Sequence, residues 1–221
     1  MLSSLLVSLI SVASSASVEF SKSNPIQYVG DNICYMPTKV SNFNETLFQG
    51  TWYPYQHQPD FVEGAITSGC KCIRSEVSLS APSEGALVGT TGTNSLTIAN
   101  KCNLLSPKGP LLNSQGVLEQ YNELSGQNGA FKFTLYGRDE HYQILDVSED
   151  GNYILATVCN NAYGITLRSF CVYYFSRTKP DGSLNLPNDI LDRFTAKSIE
   201  LGIYKPENMR LDYKNAAGCS W

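Results

Sequence analysis

Phe48-Gln49-Gly50-Thr51-Trp52-Tyr53-Pro54-Tyr55 is the stretch on which the reading of this chain turns. It follows a polar, turn-rich lead-in and opens the first aromatic-rich segment, which marks the start of an all-β domain. A glycine two residues before a tryptophan lets another segment approach closely. The indole supplies a large apolar body with one N–H to satisfy. That combination suits the floor of a small barrel.

Outward from this stretch, the chain divides into short extended segments separated by Gly, Pro, Asn and Asp clusters. The first strand is expected from Gly50 to about Phe61. In the next, Ile73, Ser75, Val77 and Leu79 share one face, and Arg74, Glu76 and Ser78 share the other. A third strand is expected within Gly85 to Asn100 and a fourth within Gly116 to Leu124. Phe131, Phe133 and Leu135 then alternate with Lys132, Thr134 and Tyr136. His141 to Val147, Tyr153 to Cys159 and Leu167 to Arg177 complete an antiparallel meander at hairpin spacing. Pro180-Asp181-Gly182 ends the sheet. One amphipathic helix follows from Leu186 to Gly202, with Ile190, Leu191, Phe194, Ile199 and Leu201 near helical spacing.

At 221 residues, with 16 basic and 20 acidic side chains and a net charge of -4, the chain holds no Lys/Arg run, which argues against nucleic acid as a partner. Met1 to Ala16 carries an apolar stretch followed by small residues, with Ser14 and Ala16 placed for cleavage, and reads as a secretory signal. Its serine-broken run falls short of the roughly 20 apolar residues of a membrane span, so no integral membrane association is expected. Residues 17 to 221 form a single domain. Seven cysteines and the sequon Asn44-Glu45-Thr46, which makes Asn44 a glycosylation candidate, fit a secreted, extracellular protein.

Catalytic and metal signatures are absent from the sequence. It contains no Gly-x-Ser-x-Gly elbow, His-Glu-x-x-His or EF-hand loop. Cys70-Lys71-Cys72 lacks the ligand number and spacing of a zinc site, with only His57 and His141 to add, so no metal is expected. The two histidines read as surface or cavity-rim residues rather than as bases.

Gly50-x-Trp52-Tyr53, eight antiparallel strands, Phe175-Ser176-Arg177 closing the last of them, Cys72-Ile73, and a helix with a tail bearing Cys219 together resemble the lipocalin family. Within it the chain is similar to apolipoprotein D, the bilin-binding proteins and the crustacyanins. The resemblance implies an eight-stranded antiparallel up-and-down β-barrel, a calyx, with the helix packed outside. It lays Arg177 over Trp52 as a cation–π contact of about 0.5 to 2 kcal/mol. The turn Asp146 to Tyr153 departs from the family motif.

The odd cysteine count leaves at least one thiol outside intramolecular pairs. The resemblance implies Cys34 with Cys159 and Cys72 with Cys219. It places Cys70 and Cys102 together at the mouth, which leaves Cys171 as a thiol. Family register turns Val77, Leu79, Phe131, Phe133, Leu135, Tyr142, Ile144, Ile154, Ala156, Val158, Cys171, Tyr173 and Phe175 inward as a ligand-binding wall. An apolar, aromatic wall with two phenols suits an elongated or planar hydrophobic molecule. The expected function is to carry or sequester a bilin, carotenoid, retinoid, sterol or fatty acid, as a monomer or homo-oligomer, with no cofactor required. Two alternatives stand beside it: an enzyme of the prostaglandin D synthase kind using the Cys171 thiol, and an interaction protein whose barrel is filled by its own side chains.

Overall fold

Alternating side chains turn one face of each strand inward, and eight such strands close on themselves in sequence order. The computed structural model describes residues 40, 43–59, 67–80, 95–120, 129–135, 138–161 and 168–221. The strands are β1 (Gly50–Gln58), β2 (Cys70–Leu79), β3 (Leu96–Leu104), β4 (Leu111–Gln120), β5 (Ala130–Leu135), β6 (Arg138–Val147), β7 (Tyr153–Asn161) and β8 (Arg168–Ser176). Every neighbouring pair is antiparallel, β8 returns to β1, and the barrel is closed. A short helix α1 (Glu45–Phe48) precedes β1, and α2 (Asn188–Glu200) follows β8.

Two expected strands are displaced. β3 begins at Leu96, inside the expected window, but runs past its end at Asn100 to Leu104, and β4 begins at Leu111, ahead of Gly116. The expected signal segment 1–16 and Cys34 lie outside the described residues. Among the described residues, no helix is long and apolar enough to cross a membrane.

The closed end is built from the opening stretch. Trp52 is buried and its Nε1 donates to the Phe48 carbonyl at 2.7 Å. The Arg177 guanidinium lies 3.7 Å from the indole centroid and donates to the carbonyls of Thr51, at 3.4 Å, and of Leu47. Gly50 is required beside it for two reasons. Its φ is +102°, and a Cβ there would stand 2.6 Å from Arg177 Nη1. Phe43, Phe48 and Phe131 pack edge-on and stacked under the barrel, with centroids 5.7 to 6.3 Å apart.

α2 covers the outside of the sheet. Ile190 and Phe194 are buried against Tyr55, Leu145, Leu155, Val172 and Tyr174. The next residue in that i, i+4 series is Ser198, which is fully buried and donates to the Phe194 carbonyl at 2.8 Å. Ile199, expected on the apolar stripe, is therefore 59% exposed. Gly202, at φ +68°, turns the chain out of the helix.

The tail finishes the wall. β1 pairs with β2 only from Gly50 to Trp52. Higher up, the His57 backbone exchanges both hydrogen bonds with Arg210, at 3.1 and 2.7 Å. The turn Asp212–Ala216 packs between β1 and β2, and Cys219 is bridged to Cys72. A second bridge joins Cys70 to Cys102 across β2 and β3. Cys159 is also disulfide-bonded, and the expected partner, Cys34, is outside the described residues.

Candidate functional site

Inward-facing residues follow from register. Trp52 points into the core, and its partner on β2 is Ser75, whose partner on β3 is Asn100, whose partner on β4 is Ser114. Directly paired residues share a face of the sheet, so all four look into the barrel. The layer beneath is Val77, Ile98 and Gly116 by the same pairing. On the other side of the barrel, Phe131 pairs with Tyr142, Tyr142 with Val158, and Val158 with Cys171.

Most of the expected wall residues meet in one cluster. Val77, Phe131, Phe133, Tyr142, Ile144, Ile154, Ala156, Val158, Cys171 and Phe175 are buried together with Trp52, and Tyr173 packs against them. Depth sorts them. Phe131, Ile144 and Ala156 have no solvent-accessible surface, so they form a packed floor. Near the mouth, Tyr173, Asn100 and Ser114 remain half-buried, and Leu112 is 39% exposed. We call the upper, partly exposed part of the described interior the cup; the base below it is filled.

Leu79 does not belong to the cup. It has the inward parity, but it ends β2 at the closed end of the barrel and is 51% exposed. Leu135 ends β5, and its side chain is outside the described set. Asn44 is exposed and caps α1, its Oδ1 accepting from Thr46 N at 2.8 Å.

Three features were not expected from the sequence. Asn100 and Ser114 form, with Ser75, a polar ladder on an otherwise apolar wall; Ser75 Oγ donates to Asn100 Oδ1 at 2.7 Å. The available signal was Leu96, Ile98, Asn100 and Cys102 on one parity, an apolar column interrupted by one amide. The second is Gly116, where a Cβ would lie 2.3 Å from Phe133 Cε2 and 2.8 Å from the Thr134 carbonyl oxygen. The glycine makes room for the Phe133 ring. Gly116→Ala is expected to cost about 1 to 3 kcal/mol by overpacking, read as a lower urea midpoint at unchanged m-value.

The third is His57. Of the two expected places, surface or cavity rim, the first is overturned: the tail covers His57, and it is buried beside Tyr173 of the upper wall. Its Nδ1 hydrogen-bonds Asp212 Oδ2, and its ring stacks on Tyr173 at 5.8 Å and 11°. His141 is half-buried on β6, on the face opposite Tyr142.

Tyr142 is 3% exposed, and its hydroxyl has no hydrogen-bond partner among the described residues. Burial holds its pKa well above the ordinary phenol value. An orphaned buried hydroxyl costs about 1 to 3 kcal/mol. Tyr142→Phe is therefore expected to raise the stability of the ligand-free protein by about that amount, measured by urea unfolding, and a loss of stability would show that the hydroxyl is bonded in the empty cup.

A separate groove of about 380 Å³ runs along the outer face of β2 to β4, lined by Glu76, Thr97, Lys101, Asn113 and Gln115. Hydrogen bonding from Lys101 Nζ, at 2.5 Å, is the chief cause that holds the Glu76 carboxyl below its usual range. These residues have the opposite parity from the cup. Among the described residues, no group of three or more His, Cys, Asp or Glu side chains is placed to hold a metal ion.

No family model and no curated protein sequence matches the chain. Solved structures do. Insecticyanin from the tobacco hornworm Manduca sexta is 13% identical, with a TM-score of 0.57 over 86% of this chain and 93% of that one. Lobster apocrustacyanin A1 is 17% identical, with a TM-score of 0.53 over 76% of this chain and 77% of the other. The bovine lipocalin allergen Bos d 2 is 15% identical, with a TM-score of 0.53 over 80% of this chain and 99% of the other.

Proposed function

For this chain, whose fold is that of the lipocalins, we propose the role of a secreted binding protein that carries or sequesters one small hydrophobic molecule in its cup. The observation that carries the reading is the gradient of exposure inside the barrel. A filled base supports a cup whose upper wall, at Asn100, Ser114, Leu112 and Tyr173, remains reachable. An eight-stranded barrel has room for one such ligand.

Val158, Cys171, Tyr173 and Leu112 would touch the ligand directly. Phe131, Phe133, Ile144, Ile154, Ala156, Phe175 and Val77 would support it from below. Candidates remain a bilin, carotenoid, retinoid, sterol or fatty acid. The disulfides support an oxidising, extracellular location. The test is direct. The protein is extracted with organic solvent, refolded with its disulfides intact, and titrated with a lipophilic fluorescent probe. Saturable binding at one site per chain is expected, and lost when Leu112 and Tyr173 are both replaced by glutamate. An absence of saturable binding to any lipophilic probe overturns the reading.

One observation favours a second reading. His57 pairs with Tyr173 on β8, and Cys171 lies two residues along on the same inner face, in no disulfide. The fold thus brings a His–Asp pair toward the thiol, which sequence distance concealed. If the thiol is a nucleophile, its alkylation by iodoacetamide in the native protein will be fast and will slow in His57→Gln. A buried packing thiol reacts slowly in both.

A further inference from the structure

The cup is two-sided. Its β7 and β8 wall is apolar and aromatic, whereas the facing wall on β2 to β4 carries Ser75, Asn100 and Ser114 in one row. Ser75 is buried beside Trp52, and exposure increases along the row toward Asn100 and Ser114. Ser75 occupies Oδ1 of Asn100, leaving Nδ2 without a partner among the described residues. Ser114, next in the row, makes no side-chain hydrogen bond within the same set. An amide and a hydroxyl placed on a half-buried inner wall offer both donors and acceptors. Unmet, each loses part of its hydration for nothing.

No Lys or Arg side chain joins this row. The basic residues of β2 and β3 have the outward parity, with Arg74 and Lys101 both bonded to Glu76. A ligand carboxylate placed against Asn100 would be partly desolvated without a counter-ion among the described residues, which is costly. A hydroxyl or carbonyl would be satisfied there.

We infer that the ligand is a neutral, oxygenated hydrophobe, one that presents a hydroxyl or a carbonyl to Asn100 and Ser114 while its hydrocarbon lies against Tyr173 and Val158. Acidic lipids and pigments that bind through a free carboxylate are disfavoured. The inference rests on the carrier reading and narrows it to a chemical class, with Asn100 as the residue that sets specificity.

The test uses three probes that share one polyene and differ at the polar end: retinol, retinal and retinoic acid. Each is titrated at pH 8 into the extracted, refolded, full secreted chain by quenching of tryptophan fluorescence. Retinol and retinal are expected to bind at least tenfold more tightly than retinoate. Asn100→Leu is expected to bring the three affinities within about threefold of each other. Asn100→Asp, with acceptors only, is expected to keep retinol within threefold and to weaken retinal at least tenfold. Ser114→Ala is expected to lower both neutral affinities severalfold, so that it and the wild-type order decide the matter if a variant at Asn100 does not fold. Retinoate binding as tightly as retinol, or a selectivity that survives Asn100→Leu, overturns the inference while leaving the carrier reading in place. Failure of all three probes to bind overturns the inference, and if the fluorescent lipophilic probe also shows no saturable binding, the carrier reading falls with it.

Discussion

Replacing Cys72 and Cys219 by serine is expected to lower the unfolding free energy by about 5 kcal/mol, the chain-entropy value for a loop closed across their separation of 147 residues. The same change at Cys70 and Cys102, whose separation is 32, is expected to cost nearer 4 kcal/mol. The larger effect also has a structural reason. The Cys219 bridge holds a tail that does more than decorate the barrel. Arg210 occupies the backbone hydrogen bonds of β1 that β2 does not reach, and Asp212 covers and bonds His57. Without the bridge that seam is held only by hydrogen bonds and by the packing of the tail against β1 and β2. Urea unfolding of the two double variants measures the costs. Limited proteolysis should nick the tail in the Cys72/Cys219 variant first. Equal midpoints for that variant and the wild type would show that the tail is held by its packing and not by the bridge.

Trp52→Ala is expected to cost about 3 to 5 kcal/mol, the range for deleting a large aromatic from a packed core. Three further losses accompany the cavity: the bond to the Phe48 carbonyl, the ring contact with Phe48 at 6.1 Å, and the surface on which Arg177 lies. Trp52→Phe keeps an aromatic there and should recover about half of the loss, because it restores most of the buried area but neither the N–H nor the full face under the guanidinium. Thermal melts and urea titrations of the three proteins give the order. A Trp52→Ala protein within about 1 kcal/mol of wild type would mean that the closed end relaxes into the gap.

The legible parts of the chain were those where alternation and burial coincide. On β5 to β8 the inner faces are almost wholly apolar, so Phe131 and Phe133, Ile154 and Val158, and Tyr173 and Phe175 marked both the strands and the core. β4 was misplaced for the reason that makes it interesting. Its inner positions include Ser114 and Gly116, and Leu111 and Val117 lie outward and exposed, so the period-two signal is blurred along much of its length. The polar ladder and the poor strand signal are one fact. Leu79 shows a different limit. Periodicity reports the face on which a side chain lies and says nothing of its height along a barrel, and height decided that Leu79 would be outside. His57 could not be read at all, because Asp212 is 155 residues away and only the folded tail brings them together.

The seam closed by Arg210 has a consequence for the order of events during synthesis. The strands emerge from the ribosome in the sequence in which they pair, each able to dock on its predecessor as it appears. The wall beside the upper half of β1 is the exception, since it is completed by residues 210 to 219, which leave after all eight strands. Until then Cys72 stands as a thiol within reach of Cys70 and Cys102, and the cup has a side window. Any ligand loaded before release would enter a vessel that can still be opened from the flank, whereas one arriving later must come over the rim.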